Sequence, residues 1–233
     1  MLPDNDARIL ASWQQNAAPW TAAVRNGEIQ SRKLVTDQAI VAAVLSRAPA
    51  TVLDIGCGEG WLARALTAQG IAVTGVDAIP ALIEQAQAAG GGAFHVATYE
   101  EIAAGALATT ADVVVSNFAL IGKEAVDGLV AAIPALLSPG GAFIVQTLHP
   151  VAANGDAPYR DGWRAGSWAG FSADFTDPAP WYFRTIGGWI DLFRRSGLRL
   201  VELHEPLHPV TQQPLSAIFV TVALGRATDR PRI

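Results

Sequence analysis

Within the ten residues Thr51-Val-Leu-Asp-Ile-Gly-Cys-Gly-Glu-Gly60 lie two acids, a thiol and three alternating glycines. Gly56 and Gly58, with Cys57 between them, leave no side chain between main chain and ligand, so backbone amides can approach a bound group closely. The dinucleotide fingerprint G-x-G-x-x-G would place a third glycine at position 61 and a pyrophosphate at the helix start. Trp61 stands there instead, and Asp54 beside the turn would repel a pyrophosphate. The decapeptide therefore suits a nucleotide-like ligand that carries positive charge. Seventeen residues beyond Gly60, Asp77 closes the apolar run that starts at Ile71 and is placed to accept hydrogen bonds from both hydroxyls of a ribose.

These residues need strands that end at one edge and helices that begin there. Val52, Leu53 and Ile55 form a short apolar run that a central parallel strand would bury on both faces. Strands are expected near 51–55, 71–77, 92–97, 111–117 and 141–148. Helices are expected at 60–69, 79–89, 99–105 and 123–137 between them, after two leading helices at 7–25 and 31–47. The first five strands should be parallel. A helix at 185–196 stops at Gly197, and the runs 198–203 and 216–224 follow without a helix between them, as an antiparallel pair would.

VLDIGCGEG at 52–60 and VTGVD at 73–77 resemble the class I S-adenosylmethionine-dependent methyltransferases. Ala111–Leu120 is similar to that family's fourth strand, and Leu137-Ser-Pro-Gly-Gly-Ala-Phe-Ile-Val145 to the turn into its fifth. The likeness spans roughly residues 35–225 and is nearest the small-molecule branch, of the kind found in ubiquinone and menaquinone biosynthesis. It implies an α/β fold: a doubly wound, Rossmann-like, seven-stranded and mostly parallel sheet with an antiparallel C-terminal strand. The implied cofactor is S-adenosylmethionine, with S-adenosylhomocysteine as product. Asp54 would then orient the loop or the methionine amino group, and Asp77 would bind the ribose. The adenine would lie near Ala78, Ile79 and the turn Ala97-Thr98-Tyr99. Relatives often carry an acid in that turn; here the Thr98 hydroxyl or the Tyr99 amide would have to serve. Asn117 and Phe118 would face the methyl group, Asn117 offering its carbonyl or its amide. Arg32 could pair with the methionine carboxylate as a bidentate fork, or be only a solvated helix start.

Residues 149–184 break the alternation and are rich in glycine and aromatic side chains. A long stretch of this kind is a functional cover or is disordered, and so many aromatic residues argue for burial. It is expected to be a substrate lid, with Trp168, Tyr182 and Arg184 toward the acceptor; Arg184 would bind an acidic acceptor or close a lid salt bridge. His149, leaving the fifth strand, is the candidate base, or else it bonds lid backbone ahead of Pro150. The chain is thus expected to be one methyltransferase domain over 1–233: a helical cover at 1–48, the cofactor core at 49–148, the lid at 149–184, and the final helix and hairpin at 185–233.

Composition narrows the partners. With 16 basic and 21 acidic residues and no basic run, a nucleic-acid partner is disfavoured. The lone Cys57 fits a reducing cytoplasm, residues 1–6 lack a secretory leader pattern, and no apolar run has the length of a membrane span. Four scattered histidines give no ligand spacing, so no metal is expected, and the G-x-S-x-G elbow of serine hydrolases is missing. The expected partner is a small-molecule methyl acceptor, handled by a monomer or homodimer that transfers methyl to oxygen or nitrogen. The alternatives are a tRNA or protein methyltransferase and a non-catalytic module that only binds the cofactor.

Overall fold

The computed structural model of the protein describes residues 4–107 and 109–224; the extreme ends of the first and last predicted segments lie outside them. In chain order the elements are α1 (Asn5–Arg25), a π-helical turn (Arg32–Thr36), α2 (Asp37–Leu45), β1 (Thr51–Ile55), α3 (Trp61–Thr67), β2 (Ala72–Asp77), α4 (Pro80–Ala89), β3 (Ala93–Val96), α5 (Tyr99–Ala103), β4 (Ala111–Asn117), α6 (Glu124–Leu136), β5 (Leu137–Leu148), α7 (Pro150–Ala153), β6 (Gly162–Arg164), β7 (Trp181–Phe183), α8 (Ile186–Arg195), β8 (Leu198–His204) and β9 (Ser216–Ala223).

Seven strands form one sheet in the order β3-β2-β1-β4-β5-β9-β8. The pairs from β3 to β5 are parallel, whereas β9 runs antiparallel to both β5 and β8. The expected α/β class and the antiparallel closing strand are therefore present. The order reverses at β1 and β4, the topological switch point of a doubly wound sheet, where ligands gather beyond the carboxyl ends of the strands. Leu53, Ile55, Val114 and Phe143 meet α5, α6 and α8 on one face. Val52, Val113, Val115 and Ile144 meet α2, α3 and α4 on the other. Burial on both sides explains why these strands read as continuous apolar runs.

Three elements depart from the expected boundaries. β5 begins at Leu137, four residues earlier than the run at 141 suggests, because Leu137 pairs with Ala111 before a register shift. The second leading helix opens as a π-turn, with the Asp37 amide donating to the Arg32 carbonyl. The insertion at 149–184 is not structureless: it carries α7 and a two-stranded antiparallel sheet in which Trp163 faces Tyr182. Aromatic pairing supplies what the glycine-rich sequence hides. Trp168 packs on Trp13 of α1 at 5.7 Å between ring centroids, and Phe171 and Phe175 pack on Trp168. Asn16 of α1 also donates to the Thr176 carbonyl and accepts from its amide. The insertion and α1 thus close over the sheet together.

Candidate active site

Two cavities, of about 120 and 290 Å3, open at the carboxyl ends of β1, β2, β4 and β5. Gly56, Gly58, Asn117, Phe118, Trp13 and Trp20 line both, so the cavities join. The smaller lies against Asp77, Ala78, Ile79, Thr98 and Tyr99. The larger runs from Arg32 and Trp61 to Trp168, Tyr182 and Arg184.

The glycine loop fits here because it bends where other residues cannot. Gly56 sits at φ +74°, and a Cβ on it would collide with the Ala119 side chain and meet the Tyr99 hydroxyl at 3.2 Å. Asp77 fastens the loop: its Oδ2 accepts from the Gly58 amide at 2.9 Å and its Oδ1 from the Ile79 amide at 2.9 Å. A carboxylate has about four acceptor positions, so further lone pairs remain for the cavity. Burial raises the Asp77 pKa above the usual carboxylate range, against the opposing pull of those amides. Asp54 lies behind the turn and off both cavity walls. Its Oδ2 is buried without a hydrogen-bond partner, and burial followed by the nearby Asp77 charge pushes it up to about 7. Burial raises the Cys57 thiol well above its ordinary range, in keeping with a side chain packed in the apolar core.

Thr98 caps α5, its hydroxyl accepting from the Glu101 amide at 3.2 Å in a capping box, while its donor position is still free. The Tyr99 hydroxyl donates to the Ala119 carbonyl at 3.1 Å, which fixes the ring on the wall of the smaller cavity. Arg32 is buried; its Nε donates to Asp37 at 2.9 Å and its guanidinium stacks 4.5 Å from the Trp61 ring centroid. Neither of its terminal nitrogens makes a hydrogen bond among the described residues, and both belong to a side chain on the larger cavity's wall.

Asn117 is held from behind. The buried Gln146 of β5 donates to Asn117 Oδ1 at 2.6 Å and to the Thr36 carbonyl at 3.0 Å, and it accepts from the Ser216 hydroxyl. The Asn117 carbonyl is therefore turned back toward Gln146, and its amide nitrogen, without a hydrogen bond among the described residues, is the end left for a ligand. The same Gln146 accepts the Phe118 amide at 2.8 Å with its backbone, pinning a residue at φ +55° between the two cavities. Strained backbone of this kind collects at ligand sites.

The candidate base takes a different place. His149 is buried, lines neither cavity, and puts Nε2 2.7 Å from Glu205 Oε1, with Nδ1 buried and unpartnered. Its ring ties the end of β5 to the segment after β8, because Pro150 starts α7 at once and carries the chain away. Arg184 does line the larger cavity, but its guanidinium donates to the Gly122 and Lys123 carbonyls and to Asp127 at 2.9 Å. Burial lowers its pKa in spite of Asp127, and of its two expected roles the lid ion pair is the one formed. Trp168 and Tyr182 line the larger cavity, Tyr182 joined through its amide to the Ile121 carbonyl at 2.7 Å.

Several site residues escaped the sequence reading. Glu59 is completely buried and accepts from Arg25 of α1 at 3.0 Å and Arg64 of α3 at 2.8 Å. Asp6 of α1 caps α6 through the Lys123 and Ala125 amides. These contacts fix both ends of α1 above the smaller cavity. Gln146 had a visible signal, a lone amide in the apolar run 142–148; Asp6 had none, since its partners are distant in sequence, and Glu59 had only the nearby Arg64, its second arginine coming from α1. Among the described residues no cluster of three or more His, Cys, Asp or Glu side chains could hold a metal, and no helix is long and apolar enough to cross a membrane.

A methyltransferase-domain family matches over residues 29–203, and the chain belongs to that family. No curated protein matches it. Solved structures share the fold. The Burkholderia thailandensis 1,6-didemethyltoxoflavin-N1-methyltransferase is 21% identical with a TM-score of 0.67, covering 96% of this chain and 92% of its own. An S-adenosylmethionine-dependent methyltransferase from Mesorhizobium loti is 23% identical with a TM-score of 0.60, covering 78% and 95%. The glycopeptide N-methyltransferase MtfA is 16% identical with a TM-score of 0.62, covering 79% and 89%. None of these likenesses singles out the quinone-biosynthesis type.

Proposed function

We propose that this methyltransferase moves the methyl group of S-adenosylmethionine to an oxygen or nitrogen atom of a small molecule. The observation that carries the reading is the pair of joined cavities: one beside Asp77 and the glycine loop, the other roofed by aromatic residues, meeting at Gly56, Asn117 and Phe118. The residues present suit the cofactor. Asp77 would take the ribose, with Ala78, Ile79, Thr98 and Tyr99 about the adenine. The free terminal nitrogens of Arg32 suit a carboxylate. The orphaned Asp54 Oδ2 suits an ammonium or a bridging water behind the loop. When bound, the cofactor supplies a sulfonium methyl that leaves readily.

The chain's own contribution is alignment and exclusion of water. Asn117 and Phe118, fixed by Gln146, set the floor where donor and acceptor meet, and holding two reactants in line accounts for much of the acceleration of such a displacement. Trp168, Phe171 and Tyr182 close the acceptor side. The larger cavity lies under an insertion anchored at both ends, which favours a compact acceptor over a tRNA or a protein segment. Two of the fold relatives named above are N-methyltransferases, in keeping with a nitrogen or oxygen acceptor. The compartment, a monomeric or dimeric state, and the division into cover, core and lid remain parts of this proposal. Incubation with methyl-labelled cofactor and a small-molecule extract, read by mass spectrometry, tests it: a labelled small product supports the reading. Cofactor binding without any labelled product from small-molecule pools overturns it in favour of a binding module.

A further inference from the structure

The chemistry of the larger cavity's wall restricts the acceptor. Three charged side chains reach that wall: Arg32, Glu59 and Arg184. Each is already engaged. Glu59 is held by two arginines, Arg184 by Asp127 and two carbonyls, and Arg32 by Asp37 through Nε. On the reading above, the two nitrogens that Arg32 keeps free are those that take the methionine carboxylate of the cofactor. An anionic acceptor would thus lose its hydration and find no side-chain cation of the wall left to pair with it.

A cationic acceptor fares no better. Aromatic faces attract cations, but those of this wall are partly taken: Arg184 lies 4.8 Å from the Tyr182 centroid and 5.1 Å from that of Trp189, and Arg32 lies over Trp61. A second positive charge would face these guanidinium groups and the sulfonium. The rest of the acceptor end is Trp168, Phe171, Trp181, Phe183 and aliphatic side chains, with uncharged polar groups at Asn117, Thr147 and Tyr182. Flat rings gain most from such walls through edge and offset stacking.

The wall also offers no free base. Glu59 is locked in its ion pairs, the buried Cys57 thiol is directed at the Gly58 carbonyl, and His149 is on neither cavity wall. Resting on the methyltransferase reading above, we infer that the acceptor is an uncharged planar aromatic or heteroaromatic molecule that presents a lone pair to the methyl carbon beside Asn117. The acceptor lone pair forms the new bond to carbon, the carbon–sulfur bond breaks with its pair returning to sulfur, and any proton on the acceptor atom leaves to water. The Asn117 amide, turned toward the cavity by Gln146, donates to the acceptor and fixes its rotation in the plane.

The test is calorimetric titration of the wild-type protein, saturated with S-adenosylhomocysteine, with three probes of nearly equal shape: quinoxaline, quinoxaline-2-carboxylate and 1-methylquinoxalinium. Quinoxaline is expected to bind at least tenfold more tightly than either ion. Trp168→Ala is expected to weaken it at least fivefold and Trp168→Phe to restore it within twofold. An ion that binds within tenfold of quinoxaline, or no quinoxaline binding to the saturated protein, overturns the acceptor assignment. Failure of S-adenosylhomocysteine itself to bind would instead strike the methyltransferase reading, so the two failures are told apart in the first step.

Discussion

Replacing Glu59 by alanine tests how the cover helix is held. Glu59 is wholly inaccessible, with Oε2 accepting from Arg25 Nε at 3.0 Å and both oxygens accepting from Arg64 at 2.8 Å. Removing one member of a buried ion pair costs about 3–5 kcal/mol when the partner stays buried and uncompensated. Here the partners are 39% and 30% exposed along their side chains, so both arginines can turn to water. What remains is the loss of charge-assisted hydrogen bonds to two arginines, at about 1.5 kcal/mol each from the lower end of the usual range, or about 3 kcal/mol in all. For a chain of this size that is a fall in Tm of about 6–12 °C. Glu59→Gln, which keeps shape and one acceptor, should lose about half as much. Urea unfolding followed by tryptophan fluorescence reads both, and the cofactor Kd of Glu59→Ala should rise because Trp13 and Trp20 ride on the loosened helix. A destabilisation below about 0.5 kcal/mol would refute the buried-clamp reasoning.

Two other outcomes follow from the same geometry. Asp54 has its pKa raised from 3.8 to about 7 in the folded protein, so between those values the folded state binds the extra proton and stability falls as pH rises. The ligand-free protein should therefore lose stability from pH 4 to pH 7, by at most about 4 kcal/mol from this group; urea titrations at pH 5, 6, 7 and 8 should show a distinctly flatter profile for Asp54→Asn, and an unchanged slope would contradict the assignment. Arg184→Lys keeps the charge but loses the fork that reaches Gly122, Lys123 and Asp127 together. Limited proteolysis within residues 155–180 should then speed up about tenfold or more, as expected from a local opening eased by about 1.4 kcal/mol or more, whereas an unchanged rate would mean that the insertion is held by its aromatic contacts alone.

What could be read from the sequence follows from how local each signal is. β1 to β4 lie within a residue or so of their predicted positions, and for the central β1 and β4 burial on both faces leaves the continuous apolar pattern that marks them. The glycine loop and Asp77 were legible because the turn needs those residue types within a few positions of one another. The start of β5 was not, since Leu137 is recruited by pairing with Ala111 across a shifted register. Nor was the docking of the insertion, in which Trp168 meets Trp13 from more than a hundred residues away. His149 shows the limit most clearly. Its position at the end of β5 was read correctly, yet its side-chain direction is set by Pro150 behind it and by Glu205, which no local pattern reveals.

The central claim is that the cavity beside the glycine loop binds S-adenosylmethionine through Asp77. Calorimetric titration of S-adenosylhomocysteine into the wild-type protein and Asp77→Ala tests it most directly. Removing hydrogen bonds to a charged group costs about 1.5–3 kcal/mol each, so the variant should bind at least about tenfold more weakly. Unchanged affinity in Asp77→Ala, or no binding to the wild-type protein, would contradict the account.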